Sequence, residues 1–210
     1  MVEQFSPTPP TGYTYRGDLF EDIRQRFERA RWRLLLRANF LALVPLGICV
    51  VLLWIPYQFY LLLGTPLALF PDQPWPSGIL ITVGLIGIIG SVALHELLHA
   101  GVLKVTGHKP CIIIRSGVPQ TGLEQGDYLP RNHFLLTALT PMVVMTLGGG
   151  IGLFFLPPAL GEVAMIVLLL NCAASVADLM VVSRVRRWPA ETLFSDELGI
   201  RVYTPYRKNK

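Results

Sequence analysis

His95-Glu96-Leu97-Leu98-His99 sets two imidazoles four residues apart with a carboxylate beside the first. On a helix, positions i and i+4 project about 40° apart, so both rings can reach one metal ion. Glu96 then stands to the side, where it can take a proton from a water polarised by that ion, the chemistry of a zinc hydrolase. The pentapeptide lies inside Ile79 to Leu103, an otherwise apolar run. Ionisable groups in hydrocarbon are expensive and are kept where function compensates them, so a plain charged helix face does not explain the cluster.

A catalytic zinc site needs a third protein ligand. Outside the pentapeptide, Asp178 is the one acidic residue deep in an apolar run, since Glu162 falls at the edge of the same run. His99 precedes Lys104 by five residues and Asp178 precedes Arg184 by six. At about 1.5 Å per residue, both lie about 8 to 9 Å from basic residues that mark a membrane face. Asn171, Ser175 and Asp178 fall at i, i+4 and i+7, a polar stripe on an apolar helix. Asp178 is expected to take the metal. For Ser175 the alternatives are a hydrogen bond to a ligand or an interhelical one, and for Asn171 contact with substrate backbone or an oxyanion, or again an interhelical bond.

Four elements must position these residues. Hydrophobic residues make up 52% of the 210 positions and charged residues 15%, too apolar a balance for an ordinary soluble domain. Four runs reach the roughly 20 residues needed to cross a bilayer, at about 40–63, 79–103, 134–156 and 163–182. Seven of the 18 Lys and Arg precede the first run, four lie between the second and third, and seven follow the fourth. Both termini are therefore expected on the cytoplasmic side, and the net charge of +4 reflects topology and anionic lipid rather than nucleic acid. The polar first 37 residues show no cleavable signal.

The expected fold is an all-α integral membrane protein. Residues 1–37 are read as a cytoplasmic tail with an interfacial helix, 38–183 as a four-helix transmembrane domain, and 184–210 as a basic cytoplasmic tail. Residues 1–17 should be mobile. Asp18 with Glu21 fits a capping box, and Phe20, Ile23, Phe27, Ala30 and Leu34 recur at helical spacing. Pro66, Pro71, Pro74, Trp75 and Pro76 suit a stiff outer loop. Cys111 to Ile114 reads as a short strand, followed by a turn-rich stretch from Val118 to Asp127. Gly84, Gly87, Gly90 and Ser91, and Gly148, Gly149, Gly150 and Gly152, read as sites of close helix approach. Pro141 reads as an ordinary kink, His108 and His133 as solvated or locally hydrogen-bonded, and Cys49, Cys111 and Cys172 as reduced packing residues.

At these residues the chain resembles the putative zincin peptidase family of small multi-pass bacterial membrane proteins, itself similar to site-2-protease-type intramembrane metalloproteases. The resemblance rests on His95 to His99, on Asn171, Ser175 and Asp178, and on Asp196-Glu197-Leu198-Gly199 with Val202-Tyr203. It implies zinc held by His95, His99 and Asp178, Glu96 as general base, and a bacterial inner membrane. Site-2 proteases place the aspartate in an Asn-Pro-Asp-Gly type segment, whereas here it stands in Ala177-Asp178-Leu179. The expected activity is hydrolysis of peptide bonds in membrane-associated protein or peptide substrates near the cytoplasmic face. Cys111 to Ile114 reads first as an internal hairpin strand and only second as an edge for an extended substrate. The alternative is a non-catalytic membrane protein that uses the same metal structurally or to regulate a partner.

Overall fold

The computed structural model describes residues 9–65, 67, 77–115, 118–196 and 199–206. It is mostly helical, with four long apolar helical stretches and small antiparallel strands. In chain order the elements are β1 (Tyr13–Asp18), α1 (Glu21–Leu62), α2 (Ser77–Val105), β2 (Pro110–Arg115), β3 (Val118–Leu123), β4 (Leu129–Pro130), α3 (Arg131–Gly152), α4 (Pro158–Ala174), α5 (Val176–Val185), β5 (Leu193–Asp196) and β6 (Ile200–Pro205). A single 3-10 turn, Leu153–Phe155, follows α3.

The stretches long and apolar enough to cross a bilayer are Ala42–Leu62, Ile81–Val105, Arg131–Phe155 and Pro158–Val185, overlapping the four runs read from sequence. Their outer faces carry large apolar side chains without protein cover: Val51 is 70% exposed, Ile89 68% and Leu97 66%. Faces of this kind are a liability in water and are solvated by lipid, which matches a multi-pass membrane protein.

The first helix differs from expectation. In place of an interfacial helix that turns into a span, one 42-residue helix runs unbroken from Glu21 to Leu62. The sequence between Glu21 and Val44 holds neither glycine nor proline, so nothing interrupts the backbone ladder, and Pro45 and Pro56 are accommodated within it. The capping box does not form: Phe20 is the N-cap without a side-chain bond, and Asp18 instead accepts the Tyr15 hydroxyl at 2.9 Å. The side chains of Ile23, Phe27, Ala30 and Leu34, like Pro66, Pro71, Pro74, Trp75 and Pro76, lie outside the described residues.

The end segments are also more ordered than a reading as tails suggests. Tyr13 to Asp18 pair antiparallel with β6, with a bulge between Tyr15 and Gly17, in a four-stranded sheet ordered β1-β6-β5-β4. Its inner face packs Phe194 and Val202 onto Leu103, Phe134 and Val185 at the ends of α2, α3 and α5. A second core joins α1 to α4 through Cys49, Leu53, Met165, Leu168 and Cys172, and all three cysteines are free thiols. Among the small residues, Gly87 and Gly149 are closely approached by Val167 and Leu168 of α4, whereas nothing stands within 4 Å of a Cβ placed at Gly84 or Gly90.

The fourth apolar stretch is interrupted for one residue at Ser175, which separates α4 from α5. The Ser175 hydroxyl donates back to the carbonyl of Asn171 at 2.9 Å. Such back-bonding competes with the ladder and bends helices. The interruption comes three residues before Asp178.

Candidate metal centre

α2 presents His95, Glu96 and His99 on adjoining turns, and one ligand atom from each lies within 4.8 Å of the others. His95 Nε2 and His99 Nε2 are 3.2 Å apart. α5 brings Asp178 against them, with Oδ2 3.1 Å from His95 Nε2 and Oδ1 3.7 Å from His99 Nε2. The two helices belong to different spans, yet the three residues meet at one level.

The remaining ring nitrogens define which atoms face the centre. His99 Nδ1 lies 2.9 Å from the carbonyl oxygen of Thr137, which can only accept, so Nδ1 carries a proton and the neutral ring turns a bare Nε2 to the centre. His95 Nδ1 lies 3.2 Å from Asn171 Oδ1 and donates to it in the same way. Two bare lone pairs and a carboxylate held this close repel one another unless a cation lies among them. Ligands of a tetrahedral zinc, at roughly 2.0 to 2.1 Å from the ion, stand about 3.3 Å from one another. The observed edges bracket that figure, and the ring centroids at 4.8 Å with planes at 77° lean the two lone pairs toward a third point. The donor set fits zinc.

Thr137 is available because of Pro141. Proline lacks the amide that would close the helical bond to the carbonyl four residues earlier, so that carbonyl of α3 can receive His99 instead. The buried Pro141, read from sequence as an ordinary kink, thus reaches the site through Thr137. Asn171 supports His95 through Oδ1, and its buried Nδ2 has no protein partner in the cavity it lines. Ser175, fully buried, donates to the backbone carbonyl of Asn171 one turn earlier in its own apolar stretch.

Glu96 is held from outside the bundle. The backbone N–H of Thr121 donates to Glu96 Oε2 at 2.5 Å, and the Thr121 hydroxyl donates to the Glu96 carbonyl at 2.9 Å. Of the stretch expected to be turn-rich, Val118–Leu123 is β3, paired with β2 in register from Pro110↔Leu123 to Arg115↔Val118, and the turn follows at 124–127. Its one proline, Pro119, has the look of a turn residue. Because Thr121 N–H points away from β2, Pro119, two residues earlier, also lacks only an outward donor, and the ladder loses nothing. Gly122 is required where β3 passes β5: a Cβ there would overlap Ile113 and lie 2.9 Å from the Asp196 carbonyl.

A cavity of about 560 Å³ joins these parts, lined by Glu96, Gln120, Thr121, Asn171, Asp178 and Asp196 among mainly apolar side chains. The edge beside Glu96 belongs to β3, not to the Cys111–Ile114 strand. Sequence reading missed Thr121 and Thr137. Only the second left a signal, the proline four residues on.

The sequence profile of the putative zincin peptidase family matches residues 88–193, half of the chain, which includes the pentapeptide and Asp178. No curated protein and no solved structure matches the chain.

Proposed function

The chain belongs to the putative zincin peptidase family, and from that premise we propose that it is a membrane-embedded zinc metalloprotease of the site-2-protease kind. The observation that carries this reading is the convergence of two bare imidazole nitrogens and one carboxylate beside a second carboxylate, in a cavity open to an extended edge. His95, His99 and Asp178 would hold zinc, which supplies Lewis-acid chemistry and lowers the pKa of water.

Glu96 takes the proton from the attacking water and returns it to the leaving amine. Thr121 N–H holds that carboxylate in place between the two transfers. Asn171 Nδ2 donates to the scissile carbonyl, whose oxygen gains charge as the carbon becomes tetrahedral. The substrate is an extended segment of a membrane-associated protein, because a helical peptide hides its carbonyls in its own hydrogen bonds. It aligns along the outward edge of β3, where the Thr121 carbonyl and the Leu123 backbone groups point away from β2 while the Thr121 N–H stays with Glu96. The distribution of Lys and Arg supports both termini on the cytoplasmic side, with the site near that face, and the resemblance alone suggests a bacterial inner membrane.

A structural or regulatory metal is the second reading, favoured by the nearness of Glu96 to the histidine pair, since a fourth protein ligand would close the shell. Purified full-length wild type, His95→Ala, Glu96→Gln and Asp178→Ala, compared for bound zinc and for cleavage of a single-span reporter, separate the two. Loss of zinc in the first and third variants, with retention of zinc but loss of cleavage in Glu96→Gln, is expected. Undiminished cleavage by Glu96→Gln would overturn the enzyme reading, and full zinc in His95→Ala the metal site.

A further inference from the structure

The chain has four histidines, and they form two pairs with different geometry. His108 follows α2, His133 stands in the first turn of α3, and Asp127 lies in the loop between β3 and β4. His108 Nδ1 is 3.1 Å from Asp127 Oδ1, and His108 Nε2 is 3.2 Å from His133 Nδ1. The nitrogen separation equals that of His95 and His99, but the ring centroids are 5.5 Å apart rather than 4.8 Å. The second pair therefore meets head-on, nitrogen to nitrogen, as an N–H···N bond does, whereas the first pair leans toward a shared third point.

We propose that Asp127, His108 and His133 form a proton-counting latch that fastens the end of α2 to the start of α3 and opens when both imidazoles are protonated. With both rings neutral, the Nδ1 proton of His108 goes to the Asp127 carboxylate, and bare Nε2 accepts the Nδ1 proton of His133. One added proton leaves one imidazolium facing one bare nitrogen, so the bond persists, with Asp127 balancing the charge. A second proton puts N–H against N–H between two cations, and the contact breaks.

Asp127 is built to stay charged through this range. Burial pushes its carboxyl up, but the backbone N–H of Lys109, the His108 ring and the backbone N–H of Tyr128 outweigh that and hold it below the ordinary carboxylate value. The other charged groups on these elements are Glu96, held by Thr121 in the candidate centre, Lys104 at the end of α2, the exposed Lys109–Glu124 pair at 3.5 Å, and Arg131. Arg131 is committed to the Trp188 carbonyl and the Asn132 side chain. Among the described residues a single carboxylate, Asp127, thus touches the imidazoles and can neutralise one cation, not two.

The two titrations belong to the pair. The bond is intact with neither or one of the two rings protonated and is lost when the second proton is taken up. Its opening reaches the candidate centre by one route: the His133 carbonyl accepts the Thr137 hydroxyl at 2.9 Å, and the Thr137 carbonyl receives His99.

Nitrogen-15 labelling of the histidines in the full chain in detergent micelles tests the latch without reference to proteolysis. The expected result is two shared titration steps for His108 and His133, collapsing to one ordinary step for His108 in His133→Phe. Amide exchange at 106–109 and 131–134, corrected for intrinsic rate, should rise at least tenfold below the second step in wild type. Independent single-step titration of the two rings in wild type overturns the proposal whether or not the variant folds. Unchanged exchange across the second step overturns it equally.

Discussion

His99 donates through Nδ1 to the backbone carbonyl of Thr137, and Pro141 leaves that carbonyl free to receive it. A residue one turn along α3 therefore fixes the tautomer of a candidate ligand on α2. Pro141→Ala restores an amide that competes for the same oxygen. Partners of metal-bound histidines are worth roughly 10- to 100-fold in metal affinity, and since a carbonyl can accept twice, about tenfold weaker zinc is expected. Competition with a chelator reads the change. Unaltered affinity in a folded variant would show that the carbonyl serves both donors without cost.

Asn171 is expected to divide its work between its two amide atoms. Asn171→Leu removes the acceptor for His95 Nδ1 and should weaken zinc by about 10- to 100-fold. Asn171→Asp keeps an acceptor and loses the Nδ2 donor, so zinc should stay bound while turnover falls by about 100-fold, the scale of one lost oxyanion donor. Equal turnover for Asn171→Asp and wild type at saturating zinc would remove Nδ2 from the mechanism.

How much of this was legible in the sequence depends on the range of the interaction. The four apolar stretches are local, and counting from Lys104 and Arg184 set His99 and Asp178 at one depth before their donor atoms were seen together. Pairing of Tyr13–Asp18 with Ile200–Pro205 joins the two ends of the chain, and no local pattern reports it. β3 was hidden because Pro119 and Gly122 look like turn residues until the direction of the Thr121 N–H is known. Ser175 was polar in an apolar helix, but whether it bonds forward to a ligand or back to its own backbone is a rotamer choice that spacing does not fix.

The edge of the sheet carries an alkaline signature. Burial, and next the hydrogen bond to Asp18, push the Tyr15 phenol up to about 12 from an ordinary value of about 10. A group raised on folding stabilises fully below its unfolded value and loses that contribution as pH rises through the folded one. Wild type should therefore lose stability between about pH 10 and 12 relative to Tyr15→Phe, and Asp18→Asn should narrow the window. Denaturation midpoints of the three proteins across that range check it, and parallel pH curves for wild type and Tyr15→Phe would deny the phenol any part.

Packing between α3 and α4 gives the sharpest test of the bundle. A Cβ at Gly149 would overlap Leu168 Cδ2 and stand 2.9 Å from Cδ1 and 3.2 Å from Cγ. Turning χ2 of the leucine moves its methyl groups but not Cγ, so Gly149→Ala makes the packed Leu168 leave its rotamer or the helices give by a few tenths of an ångström, at a cost of about 1 to 3 kcal/mol. Gly148 is its control: nothing stands within 4 Å of a Cβ there, and Gly148→Ala should stabilise by up to about 1 kcal/mol through helix propensity alone. Leu168→Ala alone opens a hole in a core residue only 6% exposed and should cost about 2 to 5 kcal/mol. The methyl added at Gly149 fills part of that hole, so the double variant should be less damaged than the two single effects summed, by at least about 1 kcal/mol. Additive losses in detergent unfolding would mean that α3 and α4 do not meet at this pair.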